Sequence, residues 1–409
     1  MSSLKYWVWL SSVSGVSALT ARLLLKRFGT PEKVFFADFA EYKDIEGIKP
    51  SDISALEYKN IDPASRILGE CEENYHRVIT LQDAEYPDRL RNIYDPPIVL
   101  YVRGNKLPVI DEEAAIAIVG TRDCTPYGVM AAEQIGYELA RYGLLVVTGL
   151  ARGIDSAAAR GALRGGGRVV GILGCGLDVV YPAENKELFE DVSHAGAILS
   201  EYPPGTRPVG AHFPVRNRIL SGISIGVAII EAPKNSGALI TASRALEQGR
   251  DVFAVPGNIT AKSREGSNNL LREGAIPLLS GENIATEYAA LFPDKIRLGG
   301  DKMAALDKRS AERLVAKHQG EGENAPTKKV IDNLPQVEYI DLDKILSELS
   351  GEERAVAEAV GMATLHVDEI IISTGLPAPQ VQAALTMLEL KGFAARGDGQ
   401  FFSLKESEN

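Results

Sequence analysis

The stretch "AAIAIVGTRDCTPYG", residues 114–128, has the form of a strand, a tight turn and the start of a helix. Its first part is a continuous apolar run, which is typical of a strand buried on both faces of a sheet. Thr125 is placed to cap the helix, and Pro126 suits its first position. Gly143 is expected to end the same helix. The stretch therefore predicts one strand–turn–helix unit.

Six further apolar runs of the same kind alternate with helix-like stretches. They are LLVVTG (144–149), RVVGILG (168–174), AILSEY (197–202), IGVAIIEA (225–232), DVFAVPG (251–257) and AIPLLS (275–280). Buried strands that alternate with helices indicate an α/β domain with helices on both faces of the sheet. We therefore predict a Rossmann-like, doubly wound parallel sheet as the core of the chain.

Glycine-containing loops follow five of these strands, and a doubly wound sheet brings such loops to its carboxyl edge. Three of the loops carry arginine: residues 120–122, 149–153 and 203–218. Glycine lets backbone N–H groups approach an anion, and helix N-termini add partial positive charge. The pattern predicts a site for an anionic ligand.

Motifs for several enzyme classes are missing or incomplete. The third glycine of a dinucleotide fingerprint is replaced by Val179, and neither a P-loop nor a G-x-S-x-G elbow occurs. None of the five histidines has a partner at metal-ligand spacing. Asp155, Asp178, Glu201 and Glu231 lie near strand ends and suit acid–base chemistry. The alternative is that they cap helices, as we expect for Asp155, or pair with arginines.

The loop residues instead favour single-stranded nucleic acid. Residues 205–218 contain three arginines and no acidic residue, and Phe213 and Tyr181 offer rings on which a base can stack. We expect Arg216 and Arg122 to contact phosphates. Arg218 is expected to have a structural role instead, paired with Glu201 or Glu231. Arg152 adds a further cation from a neighbouring loop.

The composition of the chain limits the kinds of ligand site, cross-link and membrane segment that it can have. The chain has 409 residues and a net charge of −11, so a site for nucleic acid must be a local basic patch. Its three cysteines fit neither a disulfide framework nor a zinc site. No apolar run approaches the roughly 20 residues that span a bilayer. We expect a cytoplasmic protein without a membrane segment.

The sequence patterns at both ends of the chain differ from the α/β pattern of the core. Residues 1–70 predict a small helical domain, which is either of helix-hairpin-helix (SAM-like) type or a packing bundle without a DNA contact. Residues 71–297 predict the extended Rossmann-like domain. Residues 298–346 predict a linker. Residues 347–409 predict three helices and a β-hairpin turning at 397–399, which is a winged-helix pattern. Because residues 351–405 hold four basic and seven acidic residues, we expect this domain to serve protein contacts or regulation, and its deletion to leave DNA affinity nearly intact.

Six blocks in order, from "IAIVGTRDCTPYG" to "GSNNLLREGAIPLLS", resemble the DNA-processing protein A (DprA/Smf) family over about residues 75–290. The resemblance implies single-strand binding, homodimerisation through the Rossmann-like domain, and loading of the RecA recombinase during natural transformation, with no enzyme activity and no cofactor. It also implies a DNA pocket whose residues carry over to this sequence as follows: Arg122, Gly149, Gly174, Gly176, Asn185, Lys186, Phe213, Arg216, Asn217, Arg218, Ser236, Gly237 and Thr241. Ala183 stands where the family often has a basic residue.

A nucleotide-processing enzyme of the phosphoribohydrolase type is the alternative, because such enzymes use a similar sheet and the same edge. They carry a P-G-G-x-G-T loop, and the corresponding segment here reads KNSGAL, residues 234–239. The two hypotheses differ in a simple observable, the release of free base from nucleoside monophosphates.

Overall fold

The computed structural model describes residues 3–13, 15–104, 110–298, 349, 351–360, 365–396 and 401–404. Apart from residue 298, the predicted linker lies outside the described residues, as does the predicted hairpin turn at 397–399. No described helix combines the length and the apolar character that crossing a membrane requires.

The amino-terminal region is helical, as the sequence predicts. Its helices are α1 Leu4–Ser12, α2 Ala18–Phe28, α3 Pro31–Phe36, α4 Phe39–Lys43, α5 Pro50–Ala55 and α6 Asp62–Glu73. Ser17 caps α2 by accepting a hydrogen bond from the backbone N–H of Thr20, and Gly29 follows its end with a φ of 83°. Trp7 and Trp9 of α1 are buried in the hydrophobic core. The helices are short and are therefore held by packing more than by their own propensity.

A nine-stranded sheet forms the centre of the chain. Its strands are β1 Arg77–Thr80, β2 Val99–Gly104, β3 Ala115–Val119, β4 Leu145–Thr148, β5 Val169–Leu173, β6 Ala197–Ser200, β7 Gly226–Ile229, β8 Asp251–Ala254 and β9 Ile276–Pro277. All seven predicted apolar runs became strands β3 to β9, which pair in parallel. The sequence prediction did not include β1 and β2, which add an antiparallel edge to β6.

Helices surround this sheet: α7 Asp88–Arg91, α8 Pro126–Arg141, α9 Ile154–Arg164, α10 Lys186–Ala195, α11 His212–Ile223, α12 Gly237–Glu247, α13 Glu265–Arg272 and α14 Gly281–Tyr288. The predicted cap of α8 is confirmed, because Thr125 accepts a hydrogen bond from Gly128 N–H and Pro126 begins the helix. The predicted cap of α9 is wrong. Gly153 occupies that position, and Asp155 lies inside the helix.

The strand order is β1-β2-β6-β5-β4-β3-β7-β8-β9. From β3 to β6 the chain proceeds towards one edge of the sheet, and with β7 it returns to the other side of β3. This reversal between β3 and β7 is the topological switch point, where doubly wound sheets bind ligands beyond the carboxyl ends of the strands.

The carboxy-terminal region forms the predicted winged helix. Its elements are α15 Gly351–Val360, β10 Leu365–His366, α16 Val367–Thr374, α17 Ala378–Leu390, β11 Ala394–Arg396 and β12 Phe401–Leu404. The strands pair in the order β10-β12-β11, and β11 and β12 are antiparallel. The helices and strands enclose a hydrophobic cluster of their own, separate from the clusters of the sheet.

Candidate nucleic-acid interface

A layer of aromatic rings and guanidinium groups lies at the carboxyl edge of the sheet. The Arg122 guanidinium carbon lies 4.6 Å from the centre of the Phe213 ring, in a cation–π contact. The Tyr181 ring lies 5.7 Å from the same ring. Phe213 and Tyr181 remain partly exposed, as does Arg122. The loops after β3 and β5 and the start of α11 therefore bring one cation and two stacking surfaces together, as the sequence predicts.

Arg216 lies beneath this layer and not within it. Arg216 is only 4% exposed, so its guanidinium is not available for the phosphate contact that the sequence predicts. Nη1 donates to the carbonyl oxygens of Gly149, at 3.0 Å, and Ile172, and Nε donates to Asn217 Oδ1 at 3.2 Å. These bonds join α11 to the ends of β4 and β5. Burial lowers the pKa of Arg216 to about 10.

Asp155 supplies a negative charge near this buried cation. Its carboxylate accepts a hydrogen bond from Gly149 N–H at 3.1 Å. Burial raises the pKa of Asp155 to about 6, and the positive charge of Arg216 opposes the shift. Asp155, in the first turn of α9, therefore holds the loop after β4 through this hydrogen bond.

Three glycines of the predicted pocket lie in close packing, whereas the fourth, Gly237, has open space around it. A Cβ at Gly149 would lie 2.4 Å from Arg216 Nη1, and one at Gly174 would lie 3.1 Å from the Phe213 ring. A Cβ at Gly176 would lie 2.5 Å from Asp178 Oδ1. All three glycines are buried. They lie below the aromatic layer, and their backbone N–H groups do not face solvent there.

Arg218 makes the pairing that the sequence predicts. Its Nη1 and Nη2 donate to the two carboxylate oxygens of Glu201 at 2.8 and 2.6 Å, and Nε lies 3.1 Å from Asp95 Oδ2. The Arg218 side chain is 3% exposed. Glu201 is thus confirmed as its partner, while the sequence gave no indication of Asp95. The bidentate geometry ties α11 to the loop after β6 and to the segment before β2.

The remaining predicted residues divide by exposure. Asn185 is buried, and its Nδ2 donates to Leu150 O at 2.9 Å and Ser156 Oγ at 2.8 Å, so its amide joins two loops and is not free for DNA. Asn217 and Thr241 are buried as well. Three residues lie at or near the surface: Lys186, Ser236 and Gly237. The Ser236 hydroxyl caps α12 by accepting from Ala238 N–H.

Arg152 is exposed and pairs with two acidic residues. Its Nε lies 2.9 Å from Glu184 Oε1, and its Nη1 lies 3.4 Å from Glu369 Oε1. The other carboxylate oxygen of Glu369 lies 3.8 Å from Arg122 Nη1. Glu369 belongs to α16 of the winged helix. No local sequence pattern relates Glu369 to loops more than 200 positions earlier, so its contact with these arginines was not predicted.

Two carboxylates that suited acid–base chemistry have structural partners instead. Asp178 accepts from Gly205 N–H at 2.9 Å. Glu231, 0% exposed, lies 3.0 Å from Arg264 Nη2 and accepts from the Thr125 hydroxyl at 2.8 Å. A separate cavity of about 600 Å³ beside Arg264 includes none of the predicted site residues. Within the described ranges, no group of three or more His, Cys, Asp and Glu side chains could hold a metal ion.

Comparison with known proteins agrees with this layout. The profile of the family described as DNA recombination-mediator protein A matches residues 77–289, and the profile of the DprA winged helix domain matches residues 343–400. The chain belongs to the DprA/Smf family. The predicted resemblance is confirmed, and the match over the sheet covers all of its strands from β1 to β9.

DprA/Smf relatives match most of the chain. Protein Smf of Synechocystis sp. is 33% identical over 96% of this chain and 97% of its own length. DNA processing protein DprA of Streptococcus pneumoniae is 38% identical over 66% of this chain and 95% of its own length. The X-ray structure of that protein superposes with a TM-score of 0.61 at 31% identity, over 72% of this chain and 99% of the other. The Rossmann-like fold with additional domains is therefore shown by both sequence and structure.

Proposed function

We propose that this chain binds single-stranded DNA at the aromatic and cationic layer and acts as a recombination mediator. The observation that carries the proposal is the stack of the Arg122 guanidinium on the Phe213 ring, 4.6 Å away, beside Tyr181 and the exposed Arg152. Rings that accept any base and cations that accept phosphate together suit a single strand. The described loops at this edge offer no protruding helix or ribbon for reading a duplex groove.

The finer role rests on family membership. We propose that the protein protects incoming strands and loads the RecA recombinase onto them during natural transformation, as a homodimer formed through the Rossmann-like domain, in the cytoplasm. Membership of a recombination-mediator family supports this role. We further propose that it acts by binding, without catalysis or a cofactor, and that its domains span 1–70, 71–297 and 347–409 with a linker at 298–346.

Binding is tested by fluorescence anisotropy with labelled oligo-dT and with a duplex of equal length. We expect the single strand to bind much more tightly, and Arg122→Ala and Phe213→Ala to weaken that binding. Arg164→Ala is the matched control, because Arg164 is an exposed arginine paired with Glu133 elsewhere on α9 and α8. Equal affinity for both DNA forms, or no effect of the two variants while the melting temperature is unchanged, would remove the proposed site.

Two further assays test the proposed loading of RecA and the alternative phosphoribohydrolase activity. Purified RecA should nucleate sooner on single strands when this protein is present, and Arg122→Ala should remove the acceleration. Incubation with nucleoside monophosphates should release no free base. Release of free base at a rate proportional to the protein concentration would favour a phosphoribohydrolase instead.

A further inference from the structure

The winged helix contacts the proposed DNA site through one carboxylate. Glu369, in the first turn of α16, lies with one oxygen 3.4 Å from Arg152 Nη1 and the other 3.8 Å from Arg122 Nη1. Its side chain is only 15% exposed, although it belongs to the first turn of a short helix. Arg152 also pairs with Glu184 at 2.9 Å. One carboxylate of the winged helix therefore lies within ion-pair distance of both partly exposed arginines that the proposed function assigns to phosphates.

A second contact fixes the position of the domain. Gly210, just before α11, donates its backbone N–H to the Ala359 carbonyl oxygen of α15 at 2.9 Å. A Cβ at Gly210 would lie 2.3 Å from the carbonyl oxygens of both Ala359 and Val360. The backbones can approach this closely only because residue 210 has no side chain. Since the winged helix has its own hydrophobic cluster, it docks on the loop as a unit.

We propose that the winged helix is an intramolecular competitor of single-stranded DNA, with Glu369 standing in for a phosphate on Arg122 and Arg152. This inference rests on the proposed function. A carboxylate and a phosphate use the same guanidinium donors, so the two cannot occupy them together. The excess of acidic residues in 351–405 also repels a polyanion from the docked domain. The protein binds DNA fully only when the winged helix has left the site.

The competition lowers the apparent affinity by the fraction of molecules in which the site is open. Both ion pairs are partly exposed, and pairs of that kind contribute modestly. Removing the Glu369 charge is therefore expected to raise the affinity for oligo-dT by about fivefold. Because an acidic domain is expected to make no DNA contacts, its deletion is predicted from the sequence to leave DNA affinity nearly intact. The contacts of the docked domain with the site predict inhibition instead.

Two variants of the full chain test the proposal by different means. Glu369→Gln removes the charge, and Asp368→Asn is its control, because it makes the same charge change on a neighbouring side chain that is 75% exposed. Gly210→Ala changes no charge but creates the clash with α15, and its backbone φ lies outside the positive region, so alanine is accepted there. We expect tighter oligo-dT binding for Glu369→Gln and Gly210→Ala, and less than a twofold change for Asp368→Asn.

Hydrogen exchange of the full chain provides the direct readout. The Gly210 amide, which is bonded to Ala359 in the docked form, should exchange faster when saturating oligo-dT is added and in Glu369→Gln without DNA. Unchanged Gly210 exchange, or DNA affinities of both variants within twofold of the parent, would overturn the competition while leaving the proposed function intact. Failure of every form to bind oligo-dT would overturn the proposed function, and the competition with it.

Discussion

Replacing Arg218 by Ala is expected to destabilise the sheet domain, because it leaves two carboxylates without their cation. Arg218 is 3% exposed and makes a bidentate pair with Glu201 at 2.6 and 2.8 Å and a second pair with Asp95. Removing one partner of a buried ion pair costs about 3–5 kcal/mol. Since the side chains of Glu201 and Asp95 remain 20% and 33% exposed, water screens part of this cost. We therefore expect a loss of about 3 kcal/mol.

The loss is measured as a shift in the melting temperature of the sheet domain. For a domain of this size, about 3 kcal/mol corresponds to a decrease of about 6–12 °C. Arg164→Ala is the control, because its pair with Glu133 is equally short, at 2.7 Å, but its side chain is 61% exposed. That variant should lose less than about 1 kcal/mol.

A double variant identifies the mechanism. Glu201→Gln in the Arg218→Ala background removes the uncompensated charge, so it should restore part of the stability that the single variant loses. Oligo-dT binding by Arg218→Ala, measured well below its melting temperature, should remain close to that of the parent. A melting temperature within 2 °C of the parent, roughly the shift for under 1 kcal/mol, together with a large loss of binding, would refute the structural role of Arg218.

Further predictions concern the layer and the groups beneath it. Arg216→Ala should also lower the melting temperature, because its guanidinium is buried against two strand ends; an unchanged temperature would mean that the guanidinium is not held there. Affinity for oligo-dT should fall log-linearly with salt, and Arg122→Ala should reduce the slope by about 0.7, whereas a flat response would exclude phosphate contacts. Phe213→Ala should weaken binding by about 1–3 kcal/mol and Phe213→Trp should retain it, so equal losses would argue against stacking. The folded-state pKa of Asp155 is about 6, against an ordinary value of 3.8, so its contribution to the free energy of unfolding is present below pH 3.8 and is lost as the pH rises through 6. Urea titrations at a series of pH values should show this dependence in the parent, and it should be missing from Asp155→Asn.

The sequence predicts the sheet well because the relevant signals are local. Seven apolar runs became β3 to β9, and the Thr125–Pro126 start of α8 follows from capping chemistry that involves only neighbouring residues. Strands β1 and β2 were not predicted, although β2 lies in the apolar run 98–102, because both precede the alternation of strands and helices from which the sheet was predicted. The fold class could therefore be predicted, whereas the extent of the sheet could not.

The sequence predicts which residue types gather at the candidate site better than it predicts how their side chains are placed. Clustering of arginine and aromatic residues indicated the carboxyl edge of the sheet, where Arg122, Tyr181 and Phe213 lie together. Which arginine would be buried depends on partners that lie far apart in sequence, such as Ile172 for Arg216 and Asp95 for Arg218. Glu369 is still more distant in the sequence, in another domain, and only the tertiary structure shows its contacts with Arg122 and Arg152.

The switch point itself argues against a nucleotide bound at the usual position in the crevice. Doubly wound sheets bind nucleotides in the crevice between the two central strand ends. Here Glu231, at the end of β7 and 0% exposed, lies in that crevice, paired with Arg264 and bonded to Thr125 beyond β3. A Cβ at Gly128 would lie 2.0 Å from Glu231 Oε2, so the first turn of α8 closes on the carboxylate. The ion-paired carboxylate and the first turn of α8 therefore fill the position that a nucleotide phosphate takes in such folds. The accessible cations and rings lie on the outer surface of the loops, where a strand of DNA can pass across them.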